Sequence, residues 1–130
     1  MDQQECIFCS KKNCTIIKTT KYFFIIRDTS YPVTKHHTLI ITNRHVEDFF
    51  DLTKNEMSDL DKVLKRQKKE LKRLDEEISG FNVGVNIGKD AGQSIMHCHV
   101  HLIPRRKGDV EDPRGGVRGV IPSRQKYIQK

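Results

Sequence analysis

The chain is 130 residues long, 35% hydrophobic and 32% charged, with a formal net charge of +7. That length supports one domain with its own core, and the high charge fits a soluble protein with long exposed helices rather than a disordered chain. No apolar run approaches the ~20 residues that span a bilayer. The start, Met1-Asp2-Gln3-Gln4-Glu5-Cys6, lacks the basic-then-apolar order of a secretory signal, so a cytoplasmic protein with no membrane partner is expected.

The basic excess is uneven. From Arg105 onward eight Lys and Arg residues face three acids, which suits a phosphate-bearing partner. Nucleic acid is disfavoured, because no RRM, KH or helix-turn-helix pattern accompanies the charge.

The first motif along the chain is Cys6-Ile7-Phe8-Cys9. In a reducing compartment this spacing reads as half of a zinc site or as a redox pair. Its place ahead of any strand favours zinc, with the remaining ligands supplied from far along the chain. Cys14 opens a β-like stretch and reads as core. Thr15 to Lys18 and Tyr22 to Asp28 are predicted strands, the second dense in aromatic and β-branched residues and therefore central. A loop containing Tyr31-Pro32 leads to a third strand, His37 to Thr42. His36 and His37 are adjacent, so on a strand they face opposite ways and at most one serves a site.

A short helix is predicted over Val46 to Leu52. Thr53-Lys54-Asn55-Glu56 is a capping box, in which Thr53 caps the free N–H groups and Glu56 reaches back. Behind it a long helix runs to about Ile78 with an apolar stripe of Met57, Leu60, Leu64, Leu71, Leu74 and Ile78, and Gly80 ends it. Phe81 to Ile87 alternates apolar residues with Asn82, Gly84 and Asn86, the pattern of a half-buried strand. The turn Gly88 to Gly92 joins it as an antiparallel hairpin to the strand that follows, which brings Asn86 near that strand.

That last strand reads Gly92-Gln93-Ser94-Ile95-Met96-His97-Cys98-His99-Val100-His101-Leu102-Ile103-Pro104. Three of the chain's six histidines stand at every second position, so on a strand their imidazoles share one face while Val100 and Leu102 enter the core. Pro104 closes the run. Two chemistries need such a row, metal ligation and nucleophilic attack at phosphorus.

The run closely resembles the signature of the HIT (histidine triad) family, and the similarity extends back through Asn86, Asn43-Arg44-His45 and His37-Thr38-Leu39-Ile40-Ile41. The resemblance implies an α+β fold, an antiparallel sheet of about five strands with one long and one short helix, usually in a homodimer. It implies a domain over residues 1–104 with an N-terminal zinc knuckle, and a basic tail over 105–130 packed on or near the active site. It also implies a hydrolase or transferase acting at a nucleotide α-phosphate, similar to dinucleoside polyphosphate hydrolases and nucleoside phosphoramidases.

In that likeness His99 is the nucleophile, its other ring nitrogen held by a backbone carbonyl, and attack gives a nucleotidyl-histidine intermediate that water resolves. His101 contacts phosphate oxygens, Gln93 and Ser94 bind phosphate or the leaving group, Asn86 contacts substrate, and Asp28 meets the ribose hydroxyls. His37 matches a histidine near the site that is usually preceded by glycine; here His36 takes that place. The zinc-binding branch of the family, with the related galactose-1-phosphate uridylyltransferases, places structural zinc on positions that are Cys6, Cys9, His45 and His97 here. Transfer to a second acceptor, aprataxin-like removal of adenylate from DNA ends, and a zinc-stabilised nucleotide-binding module without turnover are the other readings. The aprataxin-like one is disfavoured because that subfamily's C-terminal zinc finger is missing. By charge alone Arg105, Arg106, Arg114 and Arg118 are candidates to meet distal phosphates.

Overall fold

The computed structural model describes residues 6–12 and 14–127. A one-turn helix, α1 (Ile7–Ser10), precedes three strands, β1 (Ile16–Thr19), β2 (Phe23–Arg27) and β3 (Thr38–Thr42). The long helix α2 (Lys54–Leu74) follows, then β4 (Ile78–Gly84) and β5 (His99–Arg106). The strands form one sheet in the order β1-β2-β3-β5-β4, every neighbouring pair antiparallel. The expected five-stranded α+β architecture is present, and the histidine strand lies inside the sheet rather than at its edge.

Register fixes what each face carries. Ile41 pairs with His99, Leu39 with His101 and Ile40 with Val100, and directly paired residues share a face. One face sets Phe23, Ile25, Ile40 and Val100 against Leu60 and Val63 of α2, and Leu102 against Leu71 and Ile78. The other face joins Phe24, Ile26, Leu39 and Ile41 to Cys6 and Phe8 of the N-terminal turn. His99 and His101 lie on this second face, under α1 and away from α2. Burying one such side chain contributes roughly 1.5–3 kcal/mol, so both layers help hold β5 in register.

The capping box forms as expected. Thr53 Oγ1 accepts from the Glu56 N–H at 3.1 Å, and Glu56 Oε1 accepts from the Thr53 N–H at 2.9 Å. Glu56 is only 2% exposed and also takes Arg44 at 2.7 Å, and this guanidinium holds its carboxyl below the usual range. Arg44, part of the Asn-Arg-His stretch, thus ties the loop after β3 to the start of α2.

Several boundaries differ from the sequence reading. Helix α2 stops at Leu74 because Asp75 turns extended (φ −147°), its carboxylate accepting from the Glu77 N–H and from Arg106. Ile78 and Gly80 therefore belong to β4, not to the helix end. The buried stripe is Leu60, Val63, Gln67 and Leu71, while Met57 and Leu74 are exposed. Gly84 pairs with His101, and β4 ends there rather than at Ile87. The expected short helix over Val46 to Leu52 is a single 3₁₀ turn, Phe49–Asp51, begun by an Asp48 cap. Val46 lies outside it because its carbonyl accepts from the Cys98 N–H at 2.6 Å. The short helix is instead α1, within the Cys-x-x-Cys spacing.

Pro104 does not end β5, which runs to Arg106. The last pair with β3 is Thr38 with Leu102, and the Thr34 hydroxyl takes the Pro104 carbonyl at 2.6 Å. Carbonyl and nitrogen of one strand residue point to the same side, so the missing N–H faces a place with no strand to bond. Beyond β5 the chain makes two short 3₁₀ turns, Gly116–Val120 and Pro122–Arg124. Arg114 pairs with Asp112, and Arg118 donates to the Gln125 carbonyl and lies over Tyr127.

Replacing Thr53 by Ala should lower the unfolding free energy by about 1 kcal/mol. Urea denaturation checks this, and an unchanged midpoint would mean that the cap carries no stability.

Candidate active site and metal centre

Two of the three histidines stand on β5; His97 lies in the bend just ahead of it. The bend has a use. The His97 carbonyl lies 2.7 Å from His99 Nδ1, and a carbonyl only accepts, so Nδ1 carries the proton and donates. In the neutral ring Nε2 is then left with a lone pair, the nucleophilic tautomer. His99 is 8% exposed, and burial pushes its pKa down, opposed in part by that carbonyl bond. The ring stays neutral at physiological pH.

A second chain of tautomers runs beside it. The Val33 N–H donates to His37 Nδ1 at 3.0 Å, so the proton of a neutral His37 sits on Nε2. That Nε2 is 2.9 Å from His101 Nδ1, which must accept. The remaining proton of His101 is therefore on its own Nε2, a buried atom with no partner among the described residues. A buried donor left without a partner costs about 1–3 kcal/mol, and the ring edge stacks 5.2 Å from His99, centroid to centroid. The arrangement sets a lone pair on His99 beside a free N–H on His101. Desolvation, then His99 and His37, push His101 down to about 4.

The other candidate residues fall at different distances from this pair. Asp28 closes β2, its N–H on the His37 carbonyl; Oδ1 accepts from the Ser30 and Tyr31 N–H groups, and Oδ2 lies 3.9 Å from His37 Nδ1. Asn86 lies in the half-buried stretch just past β4, and Ser94 is exposed in the loop before β5. The Gln93 side chain is occupied within its loop: Oε1 accepts from the Gly88 N–H, and Nε2 donates to the Glu47 and Ile95 carbonyls. It braces the approach to His97.

Cys6, Cys9, His45 and His97 come together, their ligand atoms all within 4.8 Å of one another. The α1 turn puts the two sulfurs on one side of the N-terminal segment. Cys9 Sγ is 3.0 Å from His45 Nδ1, and His97 Nδ1 is 3.3 Å from Cys6 Sγ and 3.4 Å from Cys9 Sγ. With Zn–S and Zn–N bonds of about 2.3 and 2.0 Å, a tetrahedral ion has S···N edges of about 3.5 Å, so the cluster has the size of such a shell. The chemistry fits as well. His97 Nε2 donates to the Thr42 carbonyl at 2.8 Å, which leaves the lone pair on Nδ1, toward the sulfurs. Burial first, and then Cys6, push the Cys9 thiol up to about 11, so metal binding there must expel protons.

Sequence reasoning missed three contributors. The Thr42 carbonyl and the Val33 N–H set tautomers through the backbone, where side-chain identity gives no signal. Phe8 was in view inside the Cys-x-x-Cys motif; its ring meets His97 and His99 edge-on at 5.9 and 5.2 Å, between the Cys/His cluster and His99.

A match to the HIT domain spans residues 10–108, and the chain belongs to the HIT family. An uncharacterised HIT-like protein of Methanocaldococcus jannaschii is 33% identical over 110 residues, covering 82% of this chain and 83% of that one. A Schizosaccharomyces pombe bis(5'-nucleosyl)-tetraphosphatase (asymmetrical) is 36% identical over 81 residues, 62% of this chain but only 44% of the enzyme. The crystal structure of a zinc-bound histidine triad family protein from Mycobacterium smegmatis superposes with a TM-score of 0.75 at 29% identity, over 85% of this chain and 82% of that one.

A histidine with a depressed folded pKa binds fewer protons than its unfolded counterpart between the two values. For His101 that window runs from about 6.5 down to about 4, so its contribution is complete above the window and declines as pH falls through it. Replacing His101 by Gln should therefore flatten the acid loss of unfolding free energy across this range. Equal slopes for the two proteins in urea titrations would contradict the depressed pKa.

Proposed function

We propose that the chain is a nucleotide hydrolase acting at the α-phosphate through His99, on a dinucleoside polyphosphate or nucleoside phosphoramidate. The observation that carries this reading is the 2.7 Å bond from His99 Nδ1 to the His97 carbonyl, because it leaves Nε2 as a neutral nucleophile that needs no prior deprotonation. Likeness to the S. pombe tetraphosphatase supports the first substrate class. In the first step a P–N bond forms at Nε2 while the bond from phosphorus to the distal group breaks. The His101 Nε2–H then donates a hydrogen bond to a non-bridging phosphoryl oxygen, its far side backed by the His37 N–H, while the distal group leaves with the bonding pair and takes any proton from solvent. Water next displaces the imidazole and releases the nucleoside monophosphate.

Asp28 and Asn86 take the ribose and base side, Ser94 takes phosphate, and Gln93 contributes by shaping the loop. The basic tail proposed over 105–130 starts as the last two residues of β5, and beyond them Val117, Gly119, Val120 and Gln125 share a cleft with Thr34, Asn82 and Ile103, Ile103 following His99 and His101 on one face of β5. A homodimer fits the edge position of β4, whose Val83 is 48% exposed. A reducing, cytoplasmic setting fits four free cysteines.

Replacing His99 by Ala should cut turnover by about 10³-fold or more while mononucleotide affinity changes little. A denaturing alkaline quench with substrate labelled at the α-phosphate should trap a nucleotidyl-histidine adduct in the parent protein alone. Undiminished turnover in the variant, or no adduct in either protein, would overturn the mechanism.

We assign structural zinc to Cys6, Cys9, His45 and His97. Four protein ligands fill a tetrahedral shell, so when bound the ion supplies a crosslink between α1, the loop after β3 and the entry to β5. Replacing Cys6 and Cys9 by Ser together should abolish zinc retention and lower the melting temperature by roughly 10 °C. Unchanged zinc per chain by mass spectrometry would defeat the assignment.

A further inference from the structure

On the α2 side of the sheet, away from His99, a cavity of about 630 Å³ opens where β1 and the end of β2 meet the helix. Lys18, Arg27, His36 and Arg66 line it, with Glu70 the sole acid in its wall, and Arg73 holds that carboxylate through both oxygens. Arg27 is half-buried, and its Nη1 donates to two neutral acceptors, Thr38 Oγ1 at 2.8 Å and Gln67 Oε1 at 2.7 Å. Among the described residues neither Arg27, Lys18 nor Arg66 forms an ion pair. A guanidinium drawn out of solvent is costly, and the one acid in the wall, Glu70, offsets that only in part while Arg73 holds it, so an arriving anion would be favoured. Burial indeed pushes Arg27 down from its ordinary value.

His36 is the second sign. It has φ 71°, and Lys11 is the only other described non-glycine residue with positive φ. This is a conformation glycine adopts freely and other residues rarely do. A strained backbone that aims an imidazole into a cationic hollow is the kind of local cost that persists at binding sites.

We propose that this cavity is a second, non-catalytic site for a small polyphosphate anion, held by Arg27, Lys18, Arg66 and His36. Three fixed positive charges and an imidazole donor converge on one concavity, which suits a compact anion of two phosphoryl groups better than an extended polymer. The site is independent of the reading of His99, since the whole sheet separates them.

The test is a titration of the full chain with inorganic pyrophosphate, followed by NMR at the His36 ring, the Arg27 Nε–H and the His99 ring. Saturable shifts at His36 and Arg27 are expected. The double variant Lys18→Gln, Arg66→Gln should raise the dissociation constant read at Arg27 at least ten-fold, with the His99 response unchanged. The variant His36→Gly keeps a backbone that accepts φ 71° and should weaken binding several-fold without unfolding the chain. Shifts confined to His99 would overturn the proposal. So would shifts reproduced by sodium chloride at equal ionic strength, or affinities unaltered in both variants. Tighter competition by a single-stranded oligonucleotide than by tripolyphosphate would likewise replace the small-anion site with a nucleic-acid surface.

Discussion

One hydrogen bond organises the candidate site: from His99 Nδ1 to the carbonyl of the residue two positions earlier. A regular strand cannot make it, because its carbonyls point sideways into the ladder. The bend at residues 95–97 turns the His97 carbonyl out of the ladder, so departure from β geometry at one residue sets the protonation state of another. Neighbouring contacts maintain that bend. The Cys98 N–H is held by Val46, the Cys98 carbonyl by the Thr42 N–H, and the loop before it by Gln93.

His97 thereby serves two sites with two parts of itself. Its carbonyl orients the His99 ring, while its own ring, fixed by the Thr42 carbonyl, presents a lone pair to the sulfurs of Cys6 and Cys9. The Cys/His cluster and the His99 site share a residue but not a ring. An ion bound at the cluster would stiffen the backbone on which His99 depends without approaching phosphorus, since Phe8 packs against both rings.

Much of this was legible in the sequence because it was written in side-chain types with a period. The capping box at Thr53 and Glu56 and the alternation through β5 rest on spacing, the set Cys6, Cys9, His45 and His97 rests on the family resemblance, and the structure brings each set together. What was not legible was set by contacts distant in sequence. Ile78 continues the helical stripe by spacing, yet the pairing of Asp75 with Arg106 ends the helix earlier. Pro104 looks like a terminator until β3 is seen to end before it. Gln93 reads as a contact for phosphate or the leaving group, and nothing in the sequence signals that its amide also bonds Gly88, Glu47 and Ile95. Gln67, polar and buried in α2, gives no hint in sequence that it caps the Arg27 guanidinium.

The strand order carries a further consequence. β5 is the last strand in the chain, yet it inserts between β3 and β4. As the polypeptide leaves the ribosome, β1 to β3 can zip up by short connections, whereas β4 has no neighbour until residue 106 has emerged. The histidine segment is thus the keystone of the sheet. A nascent chain cut short before it would be left with an open edge and without the His99 and His101 pair, so assembly of the fold and of the candidate site coincide in one late event.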